Sequence, residues 1–246
     1  MDIQLNQSLS VDCVVFGYSG SSLKVMLMDH HIASRDKKLL KLPGAMIQNN
    51  ETLPQTANRV LLEMVGLSNL YLQRVDIFSD PQRLTQEEIA WVNNFYGVNA
   101  RRVVTVGYYT LVKLDSSIVK NTTAKGAQWV DVEKVNILAM DHKKLLTEAL
   151  GILYREILQS PIAFELLPKK FTITELQNLY SVMLGVEIDK RNFRKKITAA
   201  EFIIATDEKE KGVAHKPAQY YRFSKSAYDR AIGRKNKLNF INNWMY

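Results

Sequence analysis

The chain has 246 residues, 46% hydrophobic and 24% charged, a balance that excludes a disordered polypeptide. Its single cysteine, Cys13, excludes a disulfide framework and any multi-cysteine metal cluster, and no apolar run approaches the roughly 18–20 residues of a membrane span. The net charge of +8 is placed unevenly: residues 1–155 carry 17 basic and 15 acidic residues, net +2, whereas residues 156–246 carry 16 and 10, net +6. A basic module behind a near-neutral one points to a polyanion partner, most often nucleic acid.

In chain order, the apolar runs Val11–Phe16 and Leu23–Met28 flank the Gly- and Ser-rich stretch 17–22 and read as a hairpin. Leu39–Leu42 stops at Pro43-Gly44, a turn signal. The spacing predicts a helix over Leu53–Val65 that ends at Gly66. Arg102–Leu114 and Gln128–Val130 read as strands, and Asp141–Gln159 repeats apolar residues at helical spacing. Thr172 and Glu175 form a capping box that opens a helix ending near Gly185, and Asp189 caps a second helix only four residues later. Glu201–Thr206 and Pro217–Phe223 are strand-like and bracket the charged loop 207–216. Helix, short turn, helix and two-stranded ribbon is the order of a winged helix-turn-helix. Three parts are expected: 1–140, a connecting helix 141–159, and 160–246.

At about 100° per residue, Phe193, Ile197 and Ala200 share one stripe of the second helix, and Arg191, Arg194, Lys195 and Thr198 occupy the opposite face. A solvated surface helix usually mixes charge signs along such a face. Here no acid follows Asp189 until Glu201. With Lys190 and Asn192 these residues are candidate DNA contacts, arginine for bidentate pairing to guanine, lysine and threonine for phosphate or a base edge. Lys216, His215 and Arg222 on the ribbon are candidates for phosphate or the minor groove.

The segment Gly44–Leu67 resembles a Nudix box, with Glu51, Arg59, Leu61, Glu63 and Gly66-Leu67 at motif positions. It departs where the family has its first glycine (Ala45), the Glu after the arginine (Val60) and the second of two paired Glu (Met64). Nudix hydrolases hold Mg²⁺ with carboxylates on one helix face, where the metal neutralises a pyrophosphate and activates water. On this helix Leu53, Ala57, Val60 and Met64 form an apolar stripe instead, and a lone Glu63 cannot assemble a hard-cation site. No catalytic, metal or cofactor residue is expected.

A Nudix-like domain without its carboxylates, joined to a basic winged helix, resembles the Nudix-related transcriptional regulators of the NrtR type. The resemblance runs through VDCVVF at 11–16, LPG at 42–44, RVVTVGY at 102–108, FTITELQ at 171–177, DKRNFRKKI at 189–197 and KPAQYYRF at 216–223. It implies an α+β chain: an N-terminal Nudix-like α/β/α sandwich with a mixed sheet, then a C-terminal winged helix-turn-helix. It further implies a cytoplasmic homodimer, away from membranes, whose sensor domain controls binding to a palindromic operator, with Arg191, Arg194, Lys195 and Lys216 on DNA.

Within that family the chain resembles the sugar-responsive group, nearest its arabinose regulators (AraR), which implies L-arabinose as effector. Trp91, Phe95 and Tyr96, in a segment that replaces a short Arg-containing turn of the ADP-ribose-sensing group, are candidate stacking faces for a sugar. An ADP-ribose sensor regulating NAD metabolism is the alternative. An active Nudix hydrolase, or a module for RNA or acidic protein, is a further one.

Overall fold

The computed structural model describes residues 4–31, 39–212, 214 and 216–234. Two compact units divide inside one helix, between Ile152 and Leu153, with the loop Gly20–Ser22 grouped with the second.

The first unit is built on a mixed seven-stranded sheet of β1 (Leu5–Tyr18), β2 (Leu23–His30), β3 (Leu39–Lys41), β4 (Gly44–Gln48), β5 (Gln73–Phe78), β6 (Val104–Lys113) and β7 (Ala127–Asp131). The hairpin read from the sequence is β1–β2, paired antiparallel from Phe16↔Val25 to Tyr18↔Leu23. The other edge of β1 runs parallel to β6 over ten residue pairs, Leu9↔Val104 to Tyr18↔Lys113. β4 pairs the first half of β1, with Asp12 opposite Gly44.

Alternation along β1 sends its residues to two different places, because successive strand side chains point to opposite faces. Val11, Cys13 and Val15 are fully buried in a cluster with α1 (Leu53–Val65), which contributes Ala57, Val60, Leu61 and Val65. Ser10 and Asp12, on the other face, are buried polar residues. β4 divides the same way: Ala45 joins the α1 cluster, and Met46 packs with Val92 of α2 (Gln86–Tyr96). The predicted helix 53–65 is reproduced residue for residue, and Gly66 at φ 73 ends it with its N–H on the Leu62 carbonyl. A side chain there would be strained in the left-handed region, which is why glycine marks the stop. α3 (Ser116–Ala124), capped by Asp115, packs beside β7 and α1.

The helical spacing predicted over 141–159 corresponds to α4 (His142–Gln159). Beyond it a 3₁₀ helix (Pro161–Leu166) leads into β8 (Phe171–Thr172), α5 (Ile173–Leu184), α6 (Lys190–Thr198), β9 (Ile203–Lys209), β10 (Gln219–Phe223) and α7 (Lys225–Arg234). The sequence predicts a two-stranded ribbon; the sheet has three strands in the order β8-β10-β9, because Phe171 and Thr172 pair Tyr221 and Tyr220 before the chain turns into α5. The Thr172–Glu175 capping box is present, with Thr172 N–H donating to Glu175 Oε2 at 2.7 Å. The α5–α6 turn is tied by Gln177 Nε2 donating to the Ile188 carbonyl at 2.8 Å. Phe193 and Ile197 are buried, and Phe193 sits 6.1 Å from the Tyr180 ring, so the apolar stripe of α6 is its seat on α5. The wing and its three-stranded sheet make this unit a winged helix, and the first unit has the Nudix architecture.

Candidate effector pocket and nucleic-acid interface

The buried polar residues on the second face of β1 open on a small cavity of about 30 Å³, lined by Ser10, Asp12, Lys41, Arg83, Trp91 and His142 among others. As it stands it has room for water-sized occupants only. Charges taken this far from water must be compensated. Arg83, whose side chain is 3% exposed, places Nε and Nη2 on the two Asp141 oxygens at 2.8 and 2.6 Å, and Nη1 on the Val103 carbonyl and the Thr105 hydroxyl. The Ser10 and Thr105 hydroxyls pair at 2.6 Å. His142 Nε2 stands 3.5 Å from Asp12 Oδ2, and its Nδ1 accepts the Leu42 N–H at 2.9 Å. Burial pushes the Asp12 carboxyl up, but His142, Arg83 and Lys41 together outweigh it and hold Asp12 below the ordinary carboxylate range. Burial lowers the Lys41 ammonium, against the opposing pull of Asp12.

An aromatic wall closes the cavity. Trp91 and Tyr96 line it, and the Tyr96 hydroxyl donates to the Gly44 carbonyl at 3.0 Å. Lys41 Nζ lies 5.9 Å from the centre of the Trp91 ring, a cation–π arrangement. Phe95 stacks on Trp91 at 4.8 Å and 12° but is 61% exposed and is not among the cavity-lining residues; it backs the wall. Of the three aromatic residues singled out in the sequence, two therefore face the cavity and one does not. Asp12, Lys41, Arg83 and His142 were not singled out. Asp12 and Lys41 carried a signal, a charge inside an otherwise apolar strand; Arg83 and His142 carried none, because only tertiary convergence brings them here.

The Nudix helix does not fit Mg²⁺. Ala57 and Val60 are buried, and Met64 packs against the same cluster, so the face that would hold metal is filled with hydrocarbon. The Glu63 side chain is 63% exposed and lies 3.7 Å from Arg59. Glu51 takes Arg59 Nε and Nη2 at 2.5 and 2.9 Å, an ion pair that holds its carboxyl below the usual range and raises the guanidinium. Among the described residues, no group of three His, Cys, Asp or Glu side chains is arranged to hold a metal. The motif residues that remain brace the loop before α1.

In the second unit, Lys190, Arg191, Asn192, Arg194, Lys195 and Thr198 are all exposed on α6, and Arg191, Arg194, Lys195 and Thr198 lie opposite Phe193 and Ile197. Asp189 caps the helix by accepting the Asn192 N–H at 2.7 Å. The Thr198 hydroxyl donates to the Arg194 carbonyl at 2.7 Å, which leaves it acceptor capacity. Lys216 is exposed in the wing and Arg222 on β10. His215 lies outside the described residues.

A Nudix-like unit followed by a winged helix with an exposed basic face on α6 resembles, in its organisation, the NrtR-type transcriptional regulators. Residues 163–223 match the NrtR DNA-binding winged helix domain. The chain is 28% identical over 225 residues, 90% of its length and 84% of the relative's, to the ADPR responsive transcriptional repressor NtrR of Acinetobacter baylyi. The crystal structure of Shewanella oneidensis NrtR complexed with a 27mer DNA superposes with a TM-score of 0.64 at 27% identity, over 90% of this chain and 95% of that one. A MutT/nudix family protein of Enterococcus faecalis shares the fold at a TM-score of 0.60 and 20% identity, over 91% and 89% of the two chains. No described helix is long and apolar enough to cross a membrane.

Proposed function

We propose that the chain is a ligand-responsive transcriptional repressor that binds a palindromic duplex operator as a homodimer, with a sensor domain that has no hydrolytic role. The observation that carries this reading is the exposed, acid-free face of α6, seated on α5 by Phe193 and Ile197. Arg191 and Arg194 read base edges; Lys190, Asn192, Lys195, Thr198 and Lys216 hold phosphate or flank them. Duplex binding weakens steeply with salt, and Arg191→Ala and Arg194→Ala each lower the operator affinity. Wild-type affinity in both variants refutes the assignment.

For the effector, the comparisons favour ADP-ribose over the L-arabinose expected from the sequence, which they do not support. The relative from Acinetobacter matches most of the chain and is ADP-ribose-responsive. A second reading, a free sugar, rests on one observation of this chain: the cavity is small, its Arg83 charge is already matched by Asp141, and the Lys41 ammonium faces the opposing Asp12 carboxylate, which leaves hydroxyls and the Trp91 and Tyr96 faces. Those groups suit an uncharged polyol better than a pyrophosphate. A thermal-shift titration with ADP-ribose, L-arabinose and other pentoses separates the two, since a ligand bound to the native state raises its melting temperature. A shift with ADP-ribose alone removes the sugar reading, and a shift with a pentose alone removes the other.

A further inference from the structure

The start of α4 is held by the same side chains that line the cavity. Asp141, the residue before the helix, is clasped by Arg83 through both carboxylate oxygens. Met140 lies in the left-handed region at φ 56, a conformation that costs a non-glycine residue about 1–2 kcal/mol. Its N–H donates to Glu88 Oε1 at 3.0 Å, and the other oxygen of this buried carboxylate takes the Thr85 N–H at 2.8 Å, closing the cap of α2. His142, the first residue of the helix, is fixed by the Leu42 N–H and faces Asp12. Asp12, Arg83, Met140 and His142 all line the cavity. From here α4 runs 18 residues without a break, and the second compact unit begins within it at Leu153.

The geometry points to Met140–Asp141–His142 as the coupling segment through which cavity occupancy reaches the winged helix. A ligand that accepts from Arg83 or donates to Asp12 competes directly with Asp141 or His142, and what it displaces is the start of a helix about 27 Å long. The left-handed Met140 supplies the second state: once Glu88 and Arg83 loosen, it relaxes to ordinary backbone and the helix start moves. Coupling of this kind requires that the ligand favour one arrangement over the other, which competition for the same charged groups provides. The inference rests on the proposed sensor reading and assigns Glu88, Met140 and Asp141 as positioning residues for regulation.

The test uses the full chain, Asp141→Asn, and Met140→Gly, which leaves every ion pair in place. Hydrogen exchange of the ligand-free proteins reads the first turn of α4; the amides of Leu145 and Leu146 are expected to exchange about tenfold faster in Asp141→Asn, and no faster than wild type in Met140→Gly, where glycine relieves the left-handed strain. The affinity for a duplex enriched from a random pool by the wild type is then measured with and without ADP-ribose and with and without L-arabinose, each at saturation. In the variants the ratio is expected to fall to within about twofold of unity while the thermal shift by the active ligand persists. Unchanged exchange in Asp141→Asn overturns the inference whichever ligand is active, as do faster exchange in Met140→Gly and a wild-type ratio retained in both variants. A wild type that binds duplex equally with and without either ligand refutes the sensor reading instead, and the exchange measurement still decides whether the clasp holds the helix.

Discussion

His30 is expected to make the first unit sensitive to acid at a higher pH than Asp12 and Glu51 do. The ring is 2% exposed, stands edge-on to Trp91 at 4.4 Å, and neither nitrogen has a hydrogen-bond partner among the described residues. Burial, with Lys41 and His142 nearby, pushes its pKa from 6.5 down to about 4. The folded state therefore binds fewer protons than the unfolded chain between these values. Stability attributed to His30 is complete above about pH 6.5 and falls as pH drops toward 4. A shift of that size removes about 2 kcal/mol near pH 5, which lowers the melting temperature by roughly 4–8 °C in a chain of this length. Asp12 and Glu51, held below their ordinary values, lose their contributions only at still lower pH. Urea denaturation followed by the fluorescence of Trp91 and Trp129, near pH 7 and near pH 5, measures the loss; His30→Leu, which cannot titrate, is expected to remove most of it. If wild type and His30→Leu lose the same stability between the two pH values, the histidine is not the cause and the reasoning fails.

Three further outcomes follow from the packing. A Cβ at Gly44 would fall 1.6 Å from Asp12 Oδ1 and 2.9 Å from the Val11 carbonyl, so Gly44→Ala is expected to push the carboxylate out of the cavity and abolish ligand-induced thermal shifts; a retained shift counts against Asp12 as a ligand contact. Thr172→Ala removes the N-cap of α5 and is expected to cost the winged helix about 1 kcal/mol in chemical denaturation, against no change if the cap is idle. Ile197→Ala empties the seat of α6 at a cost of about 2–5 kcal/mol and weakens duplex binding without touching a basic residue; full affinity would mean that the orientation of α6 does not depend on its apolar stripe.

How much of this was legible in the sequence depended on whether the signal was local. α1 and α6 were read accurately because each carries its own punctuation, Gly66 at one end and Asp189 at the other, and a stripe at helical spacing. The loss of the metal face was legible for the same reason, since Val60 and Met64 belong to one helix. α3 was missed because Ser116–Ala124 buries only Thr122 and shows no apolar stripe, and β8 because two residues carry no period. The cavity was half missed. Asp12 and His142 are 130 positions apart and meet only because β1 lies beside β4 and the start of α4 returns to the sheet; no periodicity reports such a convergence. The aromatic segment was recognised for its helix spacing, but spacing alone could not tell that Tyr96 turns in and Phe95 turns out.

The alternation along β1 ties two properties that are usually free to vary separately. Val11 and Cys13 build the core and Ser10 and Asp12 build the cavity from a single run of residues. Deleting or inserting one residue before Asp12 would exchange the two sets, delivering a carboxylate to the hydrocarbon cluster and a thiol to the cavity. The lining of this cavity can therefore change by substitution at Ser10 and Asp12, but not by a change in the length of the strand before them.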